Sequence, residues 1–135
     1  MYNEVMEDSV FTKIIKGQLP SHKVYEDDKT IVIVPLHPIA KGHLLVIPKL
    51  QVDQFYELPE GDYTALWLTV KKASQKLKQT LNTKRVGLKV IGLDVPHAHV
   101  HVIAFDDLDE FSQSENSTVE PDQSTLAKIA EKLKF

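Results

Sequence analysis

Three histidines, His97, His99 and His101, stand at alternate positions in a chain of 135 residues that holds six histidines in all. In extended backbone successive side chains alternate sides, so this spacing gathers three imidazoles on one face and sends Ala98, Val100 and Val102 to the other. Imidazoles carry polar nitrogens and titrate near neutral pH, so a row of them on an otherwise apolar strand marks a site for chemistry. Three readings are open. A neutral imidazole nitrogen can attack phosphorus while its neighbours donate hydrogen bonds to the phosphoryl oxygens; the central ring has a helper on each side, which selects His99 as nucleophile. A metal is the second reading: adjacent rings of the row lie about 6.6 Å apart along the strand, close enough for two to share a zinc, with His43 as the best further ligand. The third is a solvated row with no task. His22 and His37, beside Pro20 and Pro38 in expected loops, are assigned no role.

The elements that must position these rings follow from pattern. Ser9 can cap a short helix carrying Val10, Phe11, Ile14 and Ile15, stopped by Gly17 and Pro20. Lys23 to Glu26 and Thr30 to Val34 read as a strand pair across Asp27-Asp28, and the run Ile31-Val32-Ile33-Val34 predicts burial on both faces. His43 opens a third strand through Leu44-Leu45-Val46-Ile47, closed by Pro48. From Asp62 to Leu81, Tyr63, Leu66, Trp67, Val70, Ala73, Leu77 and Leu81 recur every three or four residues, the signature of one long amphipathic helix. Strands near Val86 to Ile91 and Ala98 to Phe105 follow, joined by Gly92-Leu93-Asp94-Val95-Pro96. An acidic, Ser-rich loop is expected over 106–121, read as a solvated connector in preference to a border of the site, and then a terminal helix over 124–134. The sum is a single α+β domain over 1–135: a five-stranded antiparallel sheet, one long and two short helices, with helices covering one side of the sheet.

Composition narrows the partners. An apolar fraction of 42% and a charged fraction of 26% are those of an ordinary globular chain. The net charge of −3 argues against a nucleic-acid surface, which draws its affinity from clustered Lys and Arg. With no cysteine there is no disulfide and no thiolate. No window approaches the about 20 apolar residues of a membrane span, and Glu4, Glu7 and Asp8 stand where a secretory signal carries cations, so the expected location is cytoplasmic and no membrane partner is expected.

The run Val95-Pro96-His97-Ala98-His99-Val100-His101-Val102-Ile103 resembles the histidine triad motif, in which histidines alternate with apolar residues. Phe11 to Gly17 with Pro20, Tyr25-Glu26-Asp27-Asp28, and Gly42-His43-Leu44-Leu45-Val46-Ile47-Pro48-Lys49 extend the resemblance, in order and spacing, to the Hint-like branch of the histidine triad (HIT) family over about residues 11 to 105. The resemblance implies a homodimer and an enzyme that releases a nucleoside monophosphate from phosphoramidate or phosphoanhydride substrates through a covalent nucleotidyl-His99 adduct. It implies a purine nucleotide or nucleoside phosphoramidate as partner, His97 and His101 as phosphate ligands, His43 as the histidine that orients the triad, and Ile14 and Ile33 as walls of a base pocket. Neither a catalytic metal nor any cofactor is implied, and Phe11 and Ile14 stand in the region where some relatives carry zinc-binding cysteines.

The sequence departs from the family pattern at two places that matter. The strand-end aspartate that holds the ribose hydroxyls aligns on Pro35, whose side chain accepts no hydrogen bond. The Ser or Thr that contacts the phosphate or leaving group aligns on Asp94, which when ionised repels phosphate, or else orients a histidine or binds backbone. These departures keep two alternatives in view: a nucleotide-binding module without useful turnover, and a zinc-binding protein that uses the histidines.

Overall fold

The computed structural model describes residues 6–135; most of the acidic N-terminal stretch read above, positions 1–5, lies outside the described residues. The elements run α1 (Val10–Ile15), β1 (His22–Glu26), β2 (Thr30–Val34), β3 (His43–Pro48), α2 (Glu60–Leu81), β4 (Arg85–Lys89), β5 (Val100–Phe105), α3 (Leu108–Phe111) and α4 (Gln123–Leu133), with a single 3-10 turn at Phe55–Glu57. The strands form one antiparallel five-stranded sheet in the order β1-β2-β3-β5-β4. Local chemistry explains the boundaries. The Ser9 hydroxyl accepts the Thr12 N–H at 3.0 Å and so starts α1, and Gly17 at φ +77° ends the segment. The Asp27 carboxylate accepts the N–H groups of Lys29 and Thr30 at 2.9 and 2.8 Å, which turns β1 into β2.

The central strands are buried on both faces. On one, Val32, Val34, Leu44, Val46, Val100, Val102 and Ala104 pack against Leu66, Val70, Ala73 and Leu77 of α2 and Leu126, Ala130 and Leu133 of α4. Thr30 and Thr69, the polar pair among these contacts, satisfy each other at 2.8 Å. On the other face Ile31, Ile33, Leu45 and Ile47 pack against Phe11, Ile14 and Ile15 of α1. Helices therefore do not cover one side alone, as the pattern suggested: α1 crosses to the histidine side and covers part of it.

Two further expectations change. The acidic segment is not loop throughout, because Asp107 accepts the Glu110 N–H at 2.9 Å and starts α3, a single turn that raises the helix count to four among the described residues. Its Phe111 ring lies 4.7 Å from that of Phe105 and directly over Gly87, where an added Cβ would collide with it. The ladder of β5 begins at Val100 and not at Ala98, since the Ala98 N–H is taken by the carbonyl of Val52 at 2.8 Å.

Candidate active site

The register of the sheet sets the row. Ile33 faces Leu45, Leu45 faces His101, and His101 faces Lys89, while His43 faces Ile103 one step along. Above this row opens a cavity of about 760 Å³, within the range of small-molecule sites. Its lining includes His43, His99, His101, Ile14, Ile33 and Asp94. Pro35, Lys89, Glu115, His22 and His37 line it as well.

His97 is not in the lining. It is fully buried below α1, with Nε2 donating to the Pro48 carbonyl at 2.7 Å and Nδ1 accepting the Ser9 hydroxyl at 2.6 Å. A ring with both nitrogens engaged has none to offer a phosphate, so the expected ligand role of His97 has no geometric basis here. Its carbonyl matters instead. His99 Nδ1 donates to it at 2.7 Å, which leaves the Nε2 lone pair of His99 facing the cavity on a residue only 8% exposed. Phe11, 5.0 Å from His99 ring to ring, packs against its edge.

Backbone also fixes the tautomers on the other flank. The Ile39 N–H donates to His43 Nδ1 at 3.1 Å, so the proton of neutral His43 sits on Nε2. That Nε2–H donates to His101 Nδ1 at 3.0 Å, and the proton of neutral His101 is left on Nε2. His99, just before β5, thus presents a lone pair and His101, on β5, an N–H donor, with ring centroids 5.2 Å apart. Burial favours the neutral form of all four rings. It brings His43 down to about 3 and His101 down to about 4, with the neighbouring ring and Lys89 adding to the shift, and it lowers His97 and His99 too. Opposing burial at His99 are its bond to the His97 carbonyl and the charge of Asp94.

Residues 16–108 match the family described as HIT domain. The chain belongs to this family. It is 35% identical over 98 residues to an uncharacterized HIT-like protein of Methanocaldococcus jannaschii, covering 70% of this chain and 76% of that one. It is 30% identical over 95 residues to a protein of Saccharomyces cerevisiae named adenosine 5'-monophosphoramidase, covering 70% and 60% of the two chains. Among solved structures, a Hit-like protein from Bartonella henselae superposes with a TM-score of 0.84 at 23% identity over 98% of each chain, a likeness of fold.

Within this HIT-domain chain several site residues carry no motif. Glu115 reaches the cavity from the segment after α3, its Oε1 3.8 Å from His43 Nε2 and 3.7 Å from His101 Nδ1. Segment 106–121 therefore borders the site and is not a free connector. It is tied down along its length: Lys89 Nζ lies 4.7 Å from the Phe111 ring and donates to the Gln113 carbonyl at 3.3 Å, and His37 Nε2 meets the Val119 carbonyl at 3.0 Å; just beyond it, at the start of α4, His22 Nε2 meets Gln123 Oε1 at 2.7 Å. His22 and His37, given no task from sequence, are two of these ties. Only the glutamate's acidity and its place after the triad strand hinted at its position.

His43, His101 and Glu115 also form the cluster whose donor atoms stand close enough to hold an ion. The chemistry of the donor set fits poorly. Nδ1 of His43 already accepts a peptide N–H, so coordination through Nε2 would require either an imidazolate or the loss of that bond.

Proposed function

We propose that this protein is a nucleotide hydrolase that releases a nucleoside monophosphate through attack of His99 Nε2 on phosphorus. The observation that carries the reading is the lone pair of His99, held toward the cavity by the His97 carbonyl 2.7 Å from Nδ1, beside the outward N–H of His101. The lone pair forms the bond to phosphorus; the N–H of His101 stabilises the charge that builds on the departing side. The name of the yeast relative favours a purine nucleoside with an amine leaving group. Ile14 and Ile33 offer an apolar wall for the base, and Asp94 lines the same cavity. His97 here serves as a brace for His99 and not as a phosphate ligand. With Pro35 in the wall, ribose recognition runs through groups other than a strand-end carboxylate.

The chain reads as one domain that works as a homodimer. β4 is an edge strand, and Leu88 on it with Val90, Ile91 and Leu93 just beyond are 44%, 38%, 54% and 86% exposed, an apolar margin suited to a second copy. Light scattering on the eluted protein checks this, and a monomer at micromolar concentration contradicts it. No helix among the described residues is long and apolar enough to cross a membrane.

The test of function is a panel of nucleoside phosphoramidates and dinucleoside polyphosphates, with acid-free mass spectrometry of the stalled enzyme. A nucleotidyl group on the peptide containing His99 is the expected result. Binding without product over long incubation would leave a nucleotide-binding module instead.

A further inference from the structure

Neutral His43 and His101 hold one proton each, both on Nε2, because the Ile39 N–H closes His43 Nδ1. This has a consequence for leaving groups that need a proton. If His101 gives up its Nε2 proton with nothing arriving at Nδ1, it becomes an imidazolate, which a buried site disfavours. His43 cannot supply the missing proton without becoming an imidazolate itself. The carboxyl of Glu115 is the ionisable group that lies within 4 Å of both facing nitrogens.

We infer that Glu115 acts through His101 as the proton reservoir of the reaction, giving a proton to His101 Nδ1 as the leaving group departs and taking it back during hydrolysis. The inference rests on the hydrolase reading above. In the first step His99 Nε2 bonds to phosphorus and the bond from phosphorus to the amine breaks. The amine takes the Nε2 proton of His101, the carboxyl proton of Glu115 passes to His101 Nδ1, and the Nε2–H of His43 turns to the carboxylate just formed. His101 now has its lone pair on Nε2, facing the cavity, and is a base. In the second step water attacks phosphorus, the bond to His99 breaks, the water proton goes to His101 Nε2, and the Nδ1 proton returns to Glu115. Charge balances: the glutamate is negative only while the nucleotidyl-His99 ring is positive.

The geometry asks for a small movement. Glu115 Oε1 stands 3.7 Å from His101 Nδ1, about 1 Å beyond a hydrogen bond, on an exposed segment anchored mainly at Phe111, Gln113 and Val119. The surroundings raise the proton affinity of the carboxyl. Burial raises Glu115 first and the charge of Asp94 raises it further, while His37 acts the other way. Lys89 faces His43 and His101 from β4 and disfavours a standing imidazolium there.

The experiment compares two substrates with the same nucleoside, an alkylamine phosphoramidate and a 4-nitrophenyl phosphodiester, whose nitrophenolate leaves without a proton. Glu115→Gln is expected to lower kcat on the phosphoramidate about 100-fold, to leave the nitrophenyl ester nearly unchanged, and to abolish the fall of the wild-type rate with rising pH that deprotonation of Glu115 produces. Glu115→Asp should restore part of the rate and that limb. Equal slowing of both substrates by Glu115→Gln with an unaltered pH profile, or no slowing of either, overturns the inference while the hydrolase reading stands. Wild-type protein that cleaves neither substrate, or a His99→Ala variant that cleaves both, removes the hydrolase reading itself and this one with it.

Discussion

The two faces of the central strands are made from the same stretches of chain, offset by one residue, and they solve different problems. On the α2 and α4 face, Val32, Val34, Leu44, Val46, Val100 and Val102 bring almost no polar atoms, and nothing there but tight packing is needed. On the opposite face, His43, His99 and His101 are buried nearly as deeply as those aliphatics, yet each nitrogen is either assigned a partner or turned to the cavity. Burial stabilises the first face directly. On the second it holds imidazoles neutral in chosen tautomers, because a buried imidazolium without a counter-charge is costly. α2 spans 22 residues and α1 only six, and that difference in cover is what leaves room for a substrate over the histidines.

The largest expected effect separates the faces outright. His99→Ala should lower turnover by about 10⁴-fold or more while the far-ultraviolet spectrum and unfolding midpoint stay close to those of the parent; a variant that keeps its rate would break the division of labour. The converse change is Leu66→Ala, at a fully buried α2 position. It should cost about 2–5 kcal/mol of unfolding free energy, measured in urea, with kcat per folded molecule unchanged.

A pH titration of stability sharpens the same contrast. The ordinary histidine value is 6.5, and the folded values of His101 and His43 lie at about 4 and about 3. The unfolded chain therefore binds protons first, so the stability due to these rings is complete above pH 6.5 and drains away as pH falls through 6.5 toward 4. The urea midpoint should fall over that range, and His101→Gln should flatten the slope; the Leu66→Ala variant should keep the parental slope on a lower curve. The smallest effect belongs to Ser9→Ala, which removes both the α1 cap and the partner of His97 Nδ1. A loss of about 1–2 kcal/mol is expected, with a fall in kcat well short of that of His99→Ala, since the brace would loosen and the nucleophile would remain.

Much of this was legible in the chain because it depends on period. The stripe from Tyr63 to Leu81, the both-faces-buried run at Ile31 to Val34, and the His-Ala-His-Val-His alternation each encode which way a side chain points, and the elements formed accordingly. Periodicity says nothing about what approaches from a distance. His97 keeps the parity of the row but is drawn under α1 by Ser9 and Pro48, which are 88 and 49 residues away. α3 and Glu115 are placed by Phe111 settling over Gly87, a contact between side-chain ring and bare backbone that no local pattern announces. His22 and His37 looked idle for the same reason: their partners belong to a segment about 80 to 100 residues further on.

The Ile39 amide holds its hydrogen on Nδ1 of His43. Side chains at the ends of hydrogen-bonded rows usually ionise or rotate, and either event can reverse the sense in which hydrogen is passed along. A peptide hydrogen does neither. The direction of the hydrogen bond from neutral His43 to His101 is thus set by the main chain. Among replacements at position 39, proline alone would delete that hydrogen, free the second nitrogen of His43, and let the row run backward.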